Sequence, residues 1–253
     1  KKKFKSKKIL ILNHNAFSIN SIQNKKINFK KSDITIAAIP GIAGLNPTIE
    51  MIKKSKKILL ANKESIICGW NLIKKTALQN KTKIVPVDSE HFSIMKLLEK
   101  DKLKEIKKIY LTASGGPFLD FKVSELKKVK PHEAIKHPKW KMGKKISIDS
   151  STMMNKVFEV IEAKKLFNLN YKNISILTHP KSYVHAIVKF KNALIKILIH
   201  EPDMKIPIYN SLYPSTKNKV KSKKLNLSIL NNLDLKKINY HKFPLLKLLN
   251  NLY

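Results

Sequence analysis

A chain of 253 residues, 43% of them hydrophobic, is long enough for one large core or two ordinary ones, which excludes a disordered polypeptide. It has no uninterrupted run of 18 apolar residues and only Ile9 to Leu12 is apolar near the start, so neither a membrane span nor a signal peptide is expected. The single cysteine, Cys68, excludes an internal disulfide and points to the cytoplasm.

The formal charge of +35 has one source, because all 52 basic residues are lysines spread along the chain. Recognition of nucleic acid favours arginine, whose planar fork binds phosphates and base edges in pairs of hydrogen bonds. Neither nucleic acid nor a membrane is therefore expected as a partner, although a basic surface still attracts a phosphorylated substrate and cofactor. The lysine, asparagine and isoleucine bias matches AT-rich codons.

In chain order, Asp33 to Ile39 (DITIAAI) is a short apolar run ended by Pro40-Gly41 and reads as a buried strand. Asn46-Pro47 offers an N-cap and a proline at the first helical position, opening a helix to about Lys54. A second strand over Lys57 to Ala61, a second helix from Glu64 to about Asn80 and a third strand over Lys83 to Val87 follow. This alternation predicts a parallel sheet with right-handed crossovers, whose ligands sit beyond the carboxyl ends of the strands. Asn62-Lys63-Glu64 and Asp88-Ser89-Glu90 both lie at such ends.

Beyond residue 90 the texture changes to α+β. Ile106 to Ala113 is a strand entering Ser114-Gly115-Gly116-Pro117, Ser151 to Phe167 is a helix, and Ile174 to Thr178, Tyr183 to Phe190 and Ala193 to Ile199 are strands close in sequence. Residues 214 to 243 read as a wandering Lys-, Asn- and Ser-rich connection, and Pro244 to Tyr253 as the start of an amphipathic helix.

Four constellations could carry chemistry. Asp88 and Glu90 are two apart and would point the same way from an extended segment, converging on one hard cation; taken alone, such a pair reads as an ordinary solvated turn. Glu159, four residues after Asn155 on a predicted helix, could be a third carboxylate, giving an oxygen-only set suited to Mg2+ or Mn2+, or else an exposed helical acid. Lys63 could neutralise an anion while Asn62 and Glu64 bond a sugar or amide, or the three could simply open a helix. Ser114 with its two glycines, together with Ser150, Asn155 and Lys156 around a helix start, offers donors for a phosphate; a tight turn is the plainer alternative. His137, Trp140 and Gly143 share a loop that reads either as a water-excluding lid or as a turn anchored by a buried tryptophan. His179 and His185 read as structural, with Ser182 and His185 able to face the same pocket.

The strings GIAGLNPT (41–48), LLANKES (59–65), PVDSEH (86–91), SGGPF (114–118), HPKWKMGKKISIDSSTMMNK (137–156) and EPDM (201–204), in this order, resemble the 1-deoxy-D-xylulose 5-phosphate reductoisomerase family over nearly the whole chain. The resemblance implies a homodimeric oxidoreductase and isomerase of non-mevalonate isoprenoid biosynthesis that uses NADPH and Mg2+ or Mn2+ to turn 1-deoxy-D-xylulose 5-phosphate into 2-C-methyl-D-erythritol 4-phosphate. It implies that Asp88, Glu90 and Glu159 hold the metal and that Ser89 and Lys63 contact the substrate's carbonyl and hydroxyl oxygens. Ser114, Ser150, Asn155 and Lys156 would bind the phosphate, with His137 in the same pocket as a substrate-contacting catalytic residue and Trp140 closing over it, and Asn62, Glu64 and Gly143 would touch NADPH.

The resemblance also implies the fold: α/β, with an incomplete Rossmann-like dinucleotide-binding domain over 1–88, an α+β catalytic domain over 89–213, and a linker with the start of a C-terminal helical domain over 214–253. The family's Gly-rich pyrophosphate loop has no counterpart among the six glycines here, so a fragment is expected, with a non-catalytic remnant of the enzyme and a lysine-rich nucleic-acid binder as the competing readings.

Overall fold

The computed structural model describes residues 31–99, 103–136, 143–213, 220 and 224–252. Strands β1 (Ser32–Ala37), β2 (Ser55–Leu60) and β3 (Lys83–Pro86) form a parallel sheet in that order, linked by helices α1 (Leu45–Lys53) and α2 (Lys63–Gln79). Ala37 lies opposite Leu60 and Leu60 opposite Pro86, so the three strands end level and release their turns along one edge.

The apolar run of β2 is continuous because both its faces are covered. Ile58 and Leu60 pack with Ile49, Ile52, Ile66 and Ile73 of α1 and α2. Leu59 turns the other way, with Val85, toward Met95 of α3 (Ser89–Leu97) and Ile208 and Leu212 of α8 (Lys205–Leu212). Each such side chain withdrawn from water contributes roughly 1.5–3 kcal/mol.

The helix after β1 starts earlier than its sequence suggests. A 3-10 turn at Ile42–Gly44 runs directly into α1, whose N-cap is Gly44 without a side-chain hydrogen bond, so Asn46 and Pro47 fall inside the first turn. Proline is tolerated there because first-turn N–H groups have no intrahelical acceptor to lose. Gly44 is required by close approach, since a Cβ would run into the Ile39 carbonyl oxygen and the Asn62 amide.

A second, mixed sheet follows the order β7-β6-β4-β5-β8 and is built from β4 (Ile106–Ala113), β5 (Ile174–Thr178), β6 (Val184–Phe190), β7 (Ile195–Ile199) and β8 (Lys236–Lys237). The central strand β4 runs parallel to β5 and antiparallel to β6. Single-turn helices α4 (Val123–Leu126) and α5 (Pro131–Ala134) lie between β4 and the next long elements.

The helix expected from Ser151 to Phe167 begins three residues later, as α7 (Met154–Phe167), and a helix that the sequence did not suggest, α6 (Lys144–Ser151), precedes it. The break is at Met153, held left-handed at φ 64° while its side chain is buried in the main core. Burial of that side chain opposes the backbone cost, and neither glycine nor proline announces the break in the sequence. Helix α7 then lays Val157, Val160 and Ala163 on Ile109, Leu111, Ile174, Ile176 and Val188.

The expected wandering connection contributes α9 (Leu227–Asn231) and β8, and the last stretch, Pro244–Leu252, is 3-10 rather than α. Phe243, Leu246 and Leu249 recur every third residue and enter the main core, the spacing that a 3-10 helix keeps on one side.

Candidate active site

The level strand ends of the first sheet set the two turns that open the site. Helix α2 begins at Lys63 because Asn62 caps it, its Oδ1 accepting from the Ser65 N–H while its Nδ2 donates to the carbonyl oxygens of Ile39 and, at 2.8 Å, Gly41. Asn62 thus uses both amide hydrogens inside the chain. After β3, Asp88 occupies the N-cap position of α3 and Ser89 and Glu90 its first turn, which corrects the extended geometry expected for this segment. The carboxylates converge through a strand-to-helix turn, and the positive end of the helix favours Glu90 where it stands.

The third acid comes from helix α7. Glu159 on α7 is 1% exposed rather than a solvated helical acid, and oxygens of Asp88, Glu90 and Glu159 lie within 4.8 Å of one another. Lys63 Nζ stands 2.9 Å from Asp88 Oδ2 and 3.4 Å from Glu159 Oε1 and donates to Asn155 Oδ1 at 2.7 Å. Lys156 Nζ donates to Glu90 Oε1 at 2.8 Å, to Glu159 Oε2 and to the Thr112 carbonyl. Ser89 Oγ donates to Glu90 Oε2 at 2.6 Å.

Burial, reinforced by the charge of Glu90, pushes the Glu159 carboxyl up to about 7 against the pull of Lys156 and Lys63. Burial would raise Glu90 too, but the Lys156 ammonium overrides it and holds that carboxyl well below the usual range. On the lysines burial opposes charge, yet their carboxylate partners hold both above the ordinary lysine value. Three converging carboxyl groups offer buried oxygen donors that a divalent cation would hold ionised, and donors of this kind fit Mg2+ or Mn2+.

The same cleft, of about 220 Å³, is lined by Lys63, Asp88, Ser89, Glu90, Ser114, Ser150, Asn155, Lys156 and Glu159. Gly116, at φ 68°, brings the Ser114 turn against the end of α6, where an added Cβ would stand 2.7 Å from the Ser150 carbonyl oxygen. Asn155 and Lys156 occupy the first turn of α7, whereas Ser150 closes α6; the helix break at Met153 is what gathers all three.

Glu64 and Gly143 do not line this cleft. Glu64 Oε1 pairs with Lys145 Nζ at 3.0 Å, which ties α2 to the start of α6 two residues after Gly143. His137 and Trp140 lie outside the described residues.

Two groups escaped the sequence reading. His91, wholly buried, directs Nε2 to the Glu159 carbonyl oxygen at 2.9 Å and Nδ1 to Glu162 Oε2 at 3.3 Å, with Asp88 Oδ2 at 3.9 Å. Burial pushes the Glu162 carboxyl up to about 7; His91 opposes that rise and Asp88 adds to it. The available signal was spacing, since Asp88 and His91, and Glu159 and Glu162, are each one helical turn apart. Ser182 and His185 do face the cleft, with Met204 beside them, and His185 stacks on His200 at 3.7 Å between ring centres. Burial, with His200 as the next cause, lowers His185 to about 3, so the imidazole is neutral.

Two family models match the chain: "1-deoxy-D-xylulose 5-phosphate reductoisomerase" over residues 5–69 and "1-deoxy-D-xylulose 5-phosphate reductoisomerase C-terminal domain" over residues 84–167. A reductoisomerase of that name from Pelagibacter ubique is 52% identical over 99% of the chain and 69% of its own length. One from Clostridium novyi is 47% identical over 85% of the chain and 56% of its own length. Among solved structures, the Zymomonas mobilis reductoisomerase in complex with NADPH is 37% identical with a TM-score of 0.78, covering 87% of this chain and 57% of that one. A DOX-P reductoisomerase in complex with NADPH, fosmidomycin and magnesium is 40% identical, also with a TM-score of 0.78, over 87% of this chain and 56% of that one. The chain thus spans between about half and two thirds of these relatives.

Proposed function

The chain belongs to the 1-deoxy-D-xylulose 5-phosphate reductoisomerase family, and from that premise we propose that it carries the centre that converts 1-deoxy-D-xylulose 5-phosphate, with NADPH and Mg2+ or Mn2+, into 2-C-methyl-D-erythritol 4-phosphate. The observation that carries the proposal is the convergence of Asp88, Glu90 and Glu159 in one cleft with Lys63 and the Ser114, Ser150 and Asn155 donors.

Asp88, Glu90 and Glu159 are the residues that would hold the cation. When bound, the cation supplies Lewis acidity and NADPH a hydride. The chain's own groups do the rest. Lys63 Nζ and Ser89 Oγ donate to the substrate's carbonyl and hydroxyl oxygens, while Ser114, Ser150, Asn155 and Lys156 fix the phosphate, turning its binding energy into orientation of the reacting carbons. His137 and Trp140, outside the described residues, would contact the same substrate on the strength of the family resemblance. Glu64 and Gly143 would form the cofactor edge, in keeping with the Glu64–Lys145 pair near Gly143, while Asn62, whose amide hydrogens are spent inside the chain, would shape that edge rather than donate to NADPH.

The same reading divides the chain at residue 88 into a cofactor unit and a metal and substrate unit, a division that the two separate sheets support, with 214–253 as a linker leading toward a helical domain. It takes the protein to be a homodimer, in keeping with the exposed Leu194, Ile195 and Ile197 at the edge strand β7. It places the reaction in the cytoplasm, which suits a lone thiol at Cys68. Among the described residues no helix is long and apolar enough to cross a membrane.

The test is NADPH oxidation by the purified full chain, followed by absorbance. Oxidation that requires 1-deoxy-D-xylulose 5-phosphate and stops on chelation of divalent cations is expected. Oxidation indifferent to metal, or none at any metal and substrate concentration, overturns the proposal.

A further inference from the structure

We propose that His91 and Glu162 form a buried cross-brace that sets the separation of the metal-binding carboxylates, which makes both of them positioning residues; the inference rests on the metal reading of Asp88, Glu90 and Glu159.

The carboxylates arrive on two elements, Asp88 and Glu90 at the start of α3 and Glu159 on α7. Lys63 and Lys156 also join these elements, but each does so with an ammonium on a flexible four-carbon stem that takes the same oxygens a cation needs. His91 joins them differently. Its rigid ring rises from α3, one residue after Glu90, and reaches the main chain of α7 at the carbonyl of Glu159 itself.

That carbonyl can only accept, so Nε2 carries a hydrogen and the ring's other nitrogen is turned to Glu162, one helical turn further along α7. Nδ1 and Glu162 Oε2 are both buried, 3.3 Å apart, and neither has a hydrogen-bond partner among the described residues. A single hydrogen held between them satisfies both, and an orphaned pair there would be costly. Phe167, stacked at 6.5 Å and 18° to the imidazole, fixes the ring plane. The ring is therefore gripped at both nitrogens by one helix while rooted in the other, and the gap that it spans is the gap across which the carboxylates meet. Losing an outer partner of this kind typically weakens metal binding about 10–100-fold.

The test measures Mn2+ uptake by the full chain from the paramagnetic resonance signal of free Mn2+, a readout that needs no turnover. Glu162→Leu removes the brace and is expected to weaken Mn2+ binding about 10–100-fold with the far-ultraviolet circular dichroism unchanged. Glu162→Gln keeps a hydrogen-bonding contact to the ring and should bind close to wild type. Equal losses in the two variants would show that charge, not bracing, matters, and wild-type binding in Glu162→Leu would show a merely structural group; either overturns the inference. Should Glu162→Leu fail to fold, His91→Asn takes its place, since its shorter amide approaches Glu162 but not the Glu159 carbonyl, and the same loss is expected. Glu159→Gln is the control. If the wild-type chain takes up no Mn2+, the metal reading falls and the brace with it; if Glu159→Gln abolishes uptake but neither brace variant weakens it, the brace alone falls.

Discussion

The neutral His185 imidazole at the cleft wall makes acid stability a residue-scale property. Its folded value, lowered from 6.5 to about 3 first by burial and then by His200, means that between those values the unfolded chain binds a proton that the folded chain refuses. Stability from this group is complete above 6.5 and lost as pH falls toward 3. Glu159 and Glu162, raised from 4.5 to about 7, act in the opposite sense, withdrawing stability as pH rises through that window. The wild-type profile mixes the two, so the difference between wild type and His185→Asn isolates the histidine. In urea titrations that difference should shrink as pH falls below 6.5, by roughly 1–3 kcal/mol across the window. A difference that stays flat with pH would mean that His185 titrates freely.

At the scale of elements, what matters is how turns aim side chains. The Ser114-Gly115-Gly116 turn joins β4 to the end of α6 only because Gly116 holds φ 68° with no Cβ to meet the Ser150 carbonyl. Gly116→Ala should therefore cost about 1–3 kcal/mol of stability and push Ser114 away from Ser150 and Asn155. The kinetic expectation is a KM for the phosphorylated substrate raised at least about 10-fold, the equivalent of about 1.4 kcal/mol of lost binding, with the affinity for NADPH retained. Unchanged KM would remove this turn from the phosphate pocket. The left-handed Met153 matters in the same way, since it lets Ser150 end one helix while Asn155 and Lys156 begin the next.

For the whole molecule, a charge of +35 on 253 residues means that lysines repel one another across the surface, while the ion pairs that matter are buried in the cleft. Screening should relieve the repulsion more than it weakens buried pairs. Raising KCl from low to high concentration is thus expected to increase Tm, by roughly 2–4 °C for each kcal/mol of repulsion removed. A fall in Tm with salt would show that attractive surface pairs outweigh the excess of positive charge. The cleft itself belongs to this scale, since Lys63 at the edge of the first sheet meets Asn155 and Glu159 from the helix that covers the second.

Local chemistry made much of this legible from residues alone. Apolar runs bounded by Pro, Gly and Asn marked β1 to β7 to within two residues at nearly every end, because strand burial and turn geometry are encoded in neighbouring side chains. The carboxylates, lysines and serines of the cleft were named from their types and order, and every one of those within the described residues lines it. Tertiary structure decided what depends on distant partners. Asp88 and Glu90 converge through a helix start, Met153 separates α6 from α7 with its side chain in the core, and Pro244–Leu252 winds as 3-10 with Phe243, Leu246 and Leu249 entering the main core. The His91–Glu162 pair needed the fold most of all, since a buried polar contact between helices is a property of two surfaces brought together and leaves only faint spacing in either segment.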